Sequence, residues 1–163
     1  MPSSKKVQNT PIKVRNTHIR TNIRALHGAL LDIVGVMNRP QRDERMVKEA
    51  GIPLDRALFP LLVGIERFGP IGVVDMADRV GRDYTTVSRQ VAKLESLGLI
   101  ERQASATDRR VSAAVVTAKG RAMTDAVDLA RERLGQTIFA TWEARDIDEL
   151  VRLTRKFADA IKD

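Results

Sequence analysis

Four glycines, Gly51, Gly69, Gly81 and Gly98, cut the middle of this chain into short pieces, with long runs of helically spaced apolar residues on both sides. A glycine behind an apolar helical run is a common helix stop, because it takes up left-handed backbone without a Cβ clash. The pattern therefore predicts short helices in the middle of the chain, flanked by long amphipathic ones. From Asn16, the apolar positions Ile19, Ile23, Leu26, Leu30, Ile33 or Val34, and Met37 predict one long helix that ends before Pro40. Residues 41–50 predict a short polar helix closed by Gly51. A further helix covers about Leu54 to Arg67 and stops at Phe68-Gly69; with Pro60 inside it, it either starts near Ala57 or bends. Pro70 suits the first turn of a short helix with Val73, Val74, Ala77 and Val80 apolar, ending at Gly81. Asp83 is a good N-cap for a helix from Tyr84 to about Leu97, closed by Gly98.

The period then changes. Leu99 to Gln103 and Arg110 to Val116 predict two short strands around a polar turn that starts at Ala104 and ends at Asp108-Arg109. Thr117 caps the next helix, whose stripe is Met123, Val127, Ala130, Leu134, Ile138 and Trp142. A last helix from about Asp146 carries Ile147, Leu150 or Val151, Phe157 and Ile161. The fold class is thus mainly α with a small β-hairpin wing: a winged helix-turn-helix over 54–117, between helices at 16–53 and 118–163, behind a flexible basic arm at 1–15. Trp142, Phe139 and Phe157 are expected in the core.

Composition narrows the function. Residues 1–31 hold six bases and no acid, whereas 118–163 hold nine of each. Residues 79–110 carry seven bases against four acids. Charge segregated in this way suits a protein that meets phosphate on one side. The chain has no cysteine, which excludes disulfides, thiolate zinc sites and thiol redox sensing, and makes the cytoplasm the expected location. No apolar stretch is long enough for a membrane span, and no apolar run of the secretory kind follows the basic start. The two histidines, His18 and His27, lie on or near the first helix. With no phosphate-binding glycine loop, no paired metal ligands and no nucleophile beside a base, the sequence predicts neither an enzyme nor a cofactor or metal site.

On the helix 84–97, Val87, Val91 and Leu94 share one narrow arc and point to the core. The opposite face presents Thr85, Arg89, Ala92, Lys93 and Ser96, with Arg82 and Thr86 near its start. That face has small hydroxyls at its leading end and no acid, which is what a helix entering a major groove needs. The hairpin turn places Asp108, Arg109 and Arg110 at the tip of a ribbon, where an arginine can enter a narrow minor groove. Asp108 would hold an arginine in a fixed pose.

Four stretches carry a resemblance: Thr86-Val87-Ser88-Arg89-Gln90-Val91; Leu94-Glu95-Ser96-Leu97-Gly98-Leu99-Ile100-Glu101-Arg102; Asp108-Arg109-Arg110; and Thr117-Ala118-Lys119-Gly120. Over about residues 54–122 the chain resembles the multiple antibiotic resistance regulator (MarR) family. The resemblance implies a homodimer of interlocked terminal helices whose two winged modules read a pseudo-palindromic DNA site, with repression the expected outcome and a small-molecule effector a further expected partner. It implies major-groove contacts from the helix holding Thr85, Thr86, Ser88 and Arg89, a minor-groove contact from Arg110 supported by Asp108, and a phosphate contact from Arg109. Arg82 and Lys93 complete the expected DNA-binding set. The terminal stripes themselves carry more apolar surface than the central module can cover, which also favours pairing with a second copy. The alternative is a non-specific architectural DNA-binding protein that uses the arm and the wing.

Overall fold

The computed structural model describes residues 12–104 and 112–162, with side chains from Arg20 onward. The chain divides into two units, Met1–Arg42 and Asp43–Asp163, each described by itself.

In the first unit, helix α1 runs Ile12–Met37. It starts four residues before the expected Asn16, since Ile12 to Arg15 contain neither glycine nor proline to interrupt it. The rest of the expected arm lies outside the described residues. Along the predicted stripe, Ile23, Leu26, Ile33, Val34 and Met37 are exposed and Leu30 is half-buried. Helix α2, Pro40–Ala50, opens on its proline, whose missing N–H would have had no helical partner there.

The second unit holds the core. Met46, late in α2, is buried in it. Helix α3 is Phe59–Phe68, with Leu58 at its N-cap and Pro60 in its first turn, so the helix starts just after Ala57 and does not need to bend. Strand β1 is Ile71–Gly72 and helix α4 is Val73–Val80, closed by Gly81 at φ +63°. The expectation that Pro70 opens this helix is corrected here. Ile71 and Gly72 are extended and pair with a strand far along the chain, and the helix begins only at Val73. Within α4, Met76 and Ala77 face inward while Val74 is exposed, so Met76 fills the place expected of a valine.

Helix α5 is Tyr84–Ser96, strand β2 Ile100–Ala104 and strand β3 Ser112–Val116. The sheet has the order β1-β3-β2 and is antiparallel throughout. β2 pairs with β3 from Ile100↔Val116 to Ala104↔Ser112, and β1 adds Ile71↔Ala114 on the other side of β3. The wing therefore grows from a three-stranded base, not from a hairpin alone.

Helix α6 is Ala118–Ile138, capped by the Thr117 hydroxyl, and helix α7 is Ala144–Ala160. Leu61, Leu62 and Ile65 of α3 meet Val87, Val91 and Leu94 of α5, Ile100 of β2, and Val127 and Ala130 of α6 in one core. That core reaches α6 as far as Ala130. Met123 and Leu134 pack at its edge, while Ile138 is exposed. Trp142 is 45% exposed, beyond the end of α6, and stands edge-on to half-buried Phe139 with ring centres 5.2 Å apart. The core place expected of Trp142 is thus not found within one chain. In α7 no residue is buried: Phe157 is half-buried, and Leu150, Val151 and Leu153 are exposed.

Two substitutions test this packing. Gly120, in the first turn of α6, lies against the backbone of Leu99, and a Cβ there would collide with the Leu99 carbonyl oxygen. Gly120→Ala should destabilise the fold by about 1–3 kcal/mol in urea unfolding. A Cβ on Gly135, further along the same helix, meets only Phe139 at 4.0 Å, so Gly135→Ala should stabilise by roughly 0.5–1 kcal/mol. At the start of α5, the Asp83 carboxylate accepts the Thr86 N–H at 2.8 Å. Hydrogen bonds from Thr86, the side chain first and then the backbone, hold its pKa below the ordinary 3.8, and the Arg89 charge adds a smaller pull. A carboxylate depressed by folding adds stability that is fully present above the ordinary value and is lost as the pH falls through it toward the folded value. The thermal advantage of the native chain over Asp83→Asn, in which a neutral cap remains, should therefore be largest near neutral pH and disappear in strong acid.

Candidate nucleic-acid interface

Helix α5 is set in rotation by its inner face. Val87, Val91 and Leu94 are no more than 1% exposed, as their spacing predicts. Thr85, Arg89, Ala92, Lys93 and Ser96 consequently stand outside, with Thr86, Ser88 and Gln90 half-buried on the flanks. The hydroxyls differ in freedom. Thr86 is engaged with Asp83, and Ser96 donates back to Lys93 O at 2.8 Å. Thr85 is exposed at the leading end of the helix. The one acid within α5, Glu95, is paired with Arg102 at 3.0 Å, so its charge is balanced and β2 is tied to the helix beside it.

Arg82 does not stand free before the helix. Its Nη1 donates to Ala57 O at 3.3 Å and to Gln90 Oε1 at 3.4 Å, linking the turn before α5 to the segment before α3. Beside this link lies an open hollow of about 420 Å³. Thr86, Arg89, Gln90 and Lys93 line it from α5, and Asp55, Ala57 and Leu58 from the opposite side. Two cations against one carboxylate leave this hollow with a positive balance.

The structure therefore brings Arg82, Thr85, Thr86, Ser88, Arg89 and Lys93 together on or just before α5. Asp108, Arg109 and Arg110 lie outside the described residues; the strands that lead to them, β2 and β3, leave from the C-terminal end of α5. Two features are not legible in sequence, and a third is legible but lies outside the expected set. Gln90 lies off the core arc by less than a helical quarter turn and shows its role only through Arg82. The Glu95–Arg102 pair spans a helix end and a turn, so no local spacing announces it. Tyr84, 56% exposed at the first position of α5, could have been found as an aromatic residue outside the buried arc. Among the described residues, no helix is long and apolar enough to cross a membrane, and no group of acidic or histidine side chains is placed to hold a metal.

Residues 54–112 match the MarR family. The chain is 34% identical over 110 residues to the uncharacterized HTH-type transcriptional regulator YxaD of Bacillus subtilis, covering 65% of this chain and 77% of that one. It is 26% identical over 133 residues to the uncharacterized HTH-type transcriptional regulator y4tD of Sinorhizobium fredii, covering 70% and 79%. Among solved structures, a MarR family protein from Bacillus stearothermophilus superposes with a TM-score of 0.68 at 17% identity, over 88% of this chain and 98% of that one. A MarR transcriptional regulator from Methanosarcina mazei gives 0.63 at 20% identity, over 85% and 98%. At such identities the structural likeness speaks for the fold, a small antiparallel sheet set among helices. With the matched segment falling on the winged module and on α5, whose single acid is paired, the chain belongs to the MarR family of DNA-binding transcriptional regulators.

Proposed function

We propose that the chain acts as a homodimeric, sequence-specific repressor that places α5 in the major groove and the β2–β3 ribbon in the minor groove of each half of a pseudo-palindromic site. The observation that carries this reading is the outward face of α5, free of unpaired acid and turned to solvent because the inner face is wholly buried. Thr85 and Arg89, both exposed on the outward face, are assigned to base edges, where an arginine can span the two acceptors of guanine. Lys93 is assigned to a phosphate, and Thr86 and Ser88 to close approach of the helix. Arg82, which binds Ala57 O and Gln90 beside the hollow, completes the set. Arg110 is assigned to the minor groove, with Asp108 supporting it and Arg109 on a phosphate.

The apolar faces left exposed on α1, late α6 and α7 support pairing with a second copy. Two-fold symmetry then sets the reading helices about one DNA turn, roughly 10 base pairs, apart. Occupancy of the site represses transcription and a small-molecule effector relieves it; both steps follow the family. A regulator of this kind works in the cytoplasm.

Genomic fragments titrated at physiological salt should reveal one preferred near-palindromic sequence; equal binding to all of them would replace this reading with that of an architectural DNA-binding protein. Arg89→Ala should weaken the preferred site by about 1–3 kcal/mol and relax selectivity at one position. Lys93→Ala should weaken all sequences alike and lower the salt slope by about 0.9. Arg110→Ala should reduce affinity while the dimer stays folded, and unchanged affinity would remove the wing assignment.

A further inference from the structure

The backbone oxygens that follow α5 are all met by the first turn of α6. Lys119 Nζ donates to Leu97 O at 2.8 Å, the Thr117 hydroxyl to Gly98 O at 2.7 Å, and the Thr117 N–H to Leu99 O at 3.0 Å. The same hydroxyl accepts the Gly120 N–H at 3.1 Å, so it caps α6 while it holds the end of α5. Gly120, lacking a Cβ, lets the two backbones close up at Leu99. The electrostatics agree: the negative end of the α5 dipole faces the positive start of α6 and an ammonium group. The wing leaves and returns at this patch, since Ile100↔Val116 is its first rung and Arg102 is bound to Glu95.

We infer that Lys119, with Thr117, is a positioning residue that locks the reading helix and the wing root to α6, so that the helix carrying apolar surface for a second copy dictates where each α5 stands in the dimer. The inference rests on the dimeric DNA-reading role proposed above. Apolar contacts from Val127 and Ala130 hold α6 on the core, but such contacts are non-directional. Three hydrogen bonds to three successive carbonyls are directional, and they fix the angle between the two helices. Lys119 has no assigned contact with DNA, and its side chain reaches Leu97 across 22 positions of sequence. Its contribution to binding is therefore geometric.

The absence of cysteine allows a direct test. Ala92→Cys, on the exposed face of α5, takes a single nitroxide per protomer, and dipolar spectroscopy on the full chain without DNA reads the distance between the two α5 helices. The otherwise native chain should give one narrow distribution. Lys119→Met keeps the apolar stem and loses the charge; it should broaden the distribution, and Lys119→Arg should narrow it again. Without the label, Lys119→Met should bind the preferred site more weakly, with one charge-assisted hydrogen bond, about tenfold, as the upper limit, and should tolerate half-sites moved by a base pair better than the native chain does. If Lys119→Met does not fold, Lys119→Gln serves in its place. A folded variant with native distance distribution and native spacing preference overturns the inference while leaving the regulator intact. A native chain that yields no inter-protomer distance and no preferred site overturns both.

Discussion

Enclosure of Val87, Val91 and Leu94 governs everything that α5 presents to its surroundings. Turning the helix by one residue would expose buried aliphatic side chains and press either Ser88 and Glu95 or Gln90 and Lys93 toward Leu62 and Ile65. Each large aliphatic group contributes about 1.5–3 kcal/mol when fully buried, and a charged side chain buried without partners is disfavoured by more than that. The register is thus held by large, opposed terms, and the polar face is a fixed surface rather than one of several choices. Asp83 and Gly98 set the two ends of the same helix, one by capping its N–H groups and the other by leaving it through left-handed backbone.

Much of this was readable from residue order, because the devices involved act within a few positions. The stripe of α5, the caps at Asp83 and Thr117, and the stops at Gly51 and Gly81 each depend on neighbours one turn away. What escaped notice acts over longer separations. β1 has only two residues, too few to show a period, and its partner Ala114 lies beyond three other elements. Pro70 was read by its local preference, and long-range pairing of Ile71 overruled it. In α4, an eight-residue helix is too short for a stripe to separate exposed Val74 from buried Met76. The Thr117-Ala118-Lys119-Gly120 stretch stood out only as a family likeness, and its physical content emerged once Leu97, Gly98 and Leu99 were found beside it.

Trp142 marks another boundary of sequence reading. Its apolar bulk argued for burial, yet within one chain the core stops near Leu134 and the indole packs only edge-on against Phe139. Hydrophobic spacing states that a face is to be covered; it does not say by which molecule. The same holds for α7, where half-buried Phe157 lies among the exposed Leu150, Val151 and Leu153. These helices form as their spacing predicts.

The sheet order carries one more consequence. β3 is the central strand, held by β1 on one edge and β2 on the other, but β1 ends after two rungs. Past Ile100, every described residue of β2 faces water, so the outer ribbon is maintained by backbone bonds with little apolar cover. Segments of that kind open locally at far lower free energy than the body of a protein. Among the described rungs, amide exchange should therefore be slowest at Ala113 and Ala114, which β1 braces, and faster at the adjoining rung of Ala104 and Ser112. Holding so lightly covered a ladder still would cost entropy, and that cost would subtract from the tightness of any complex it makes.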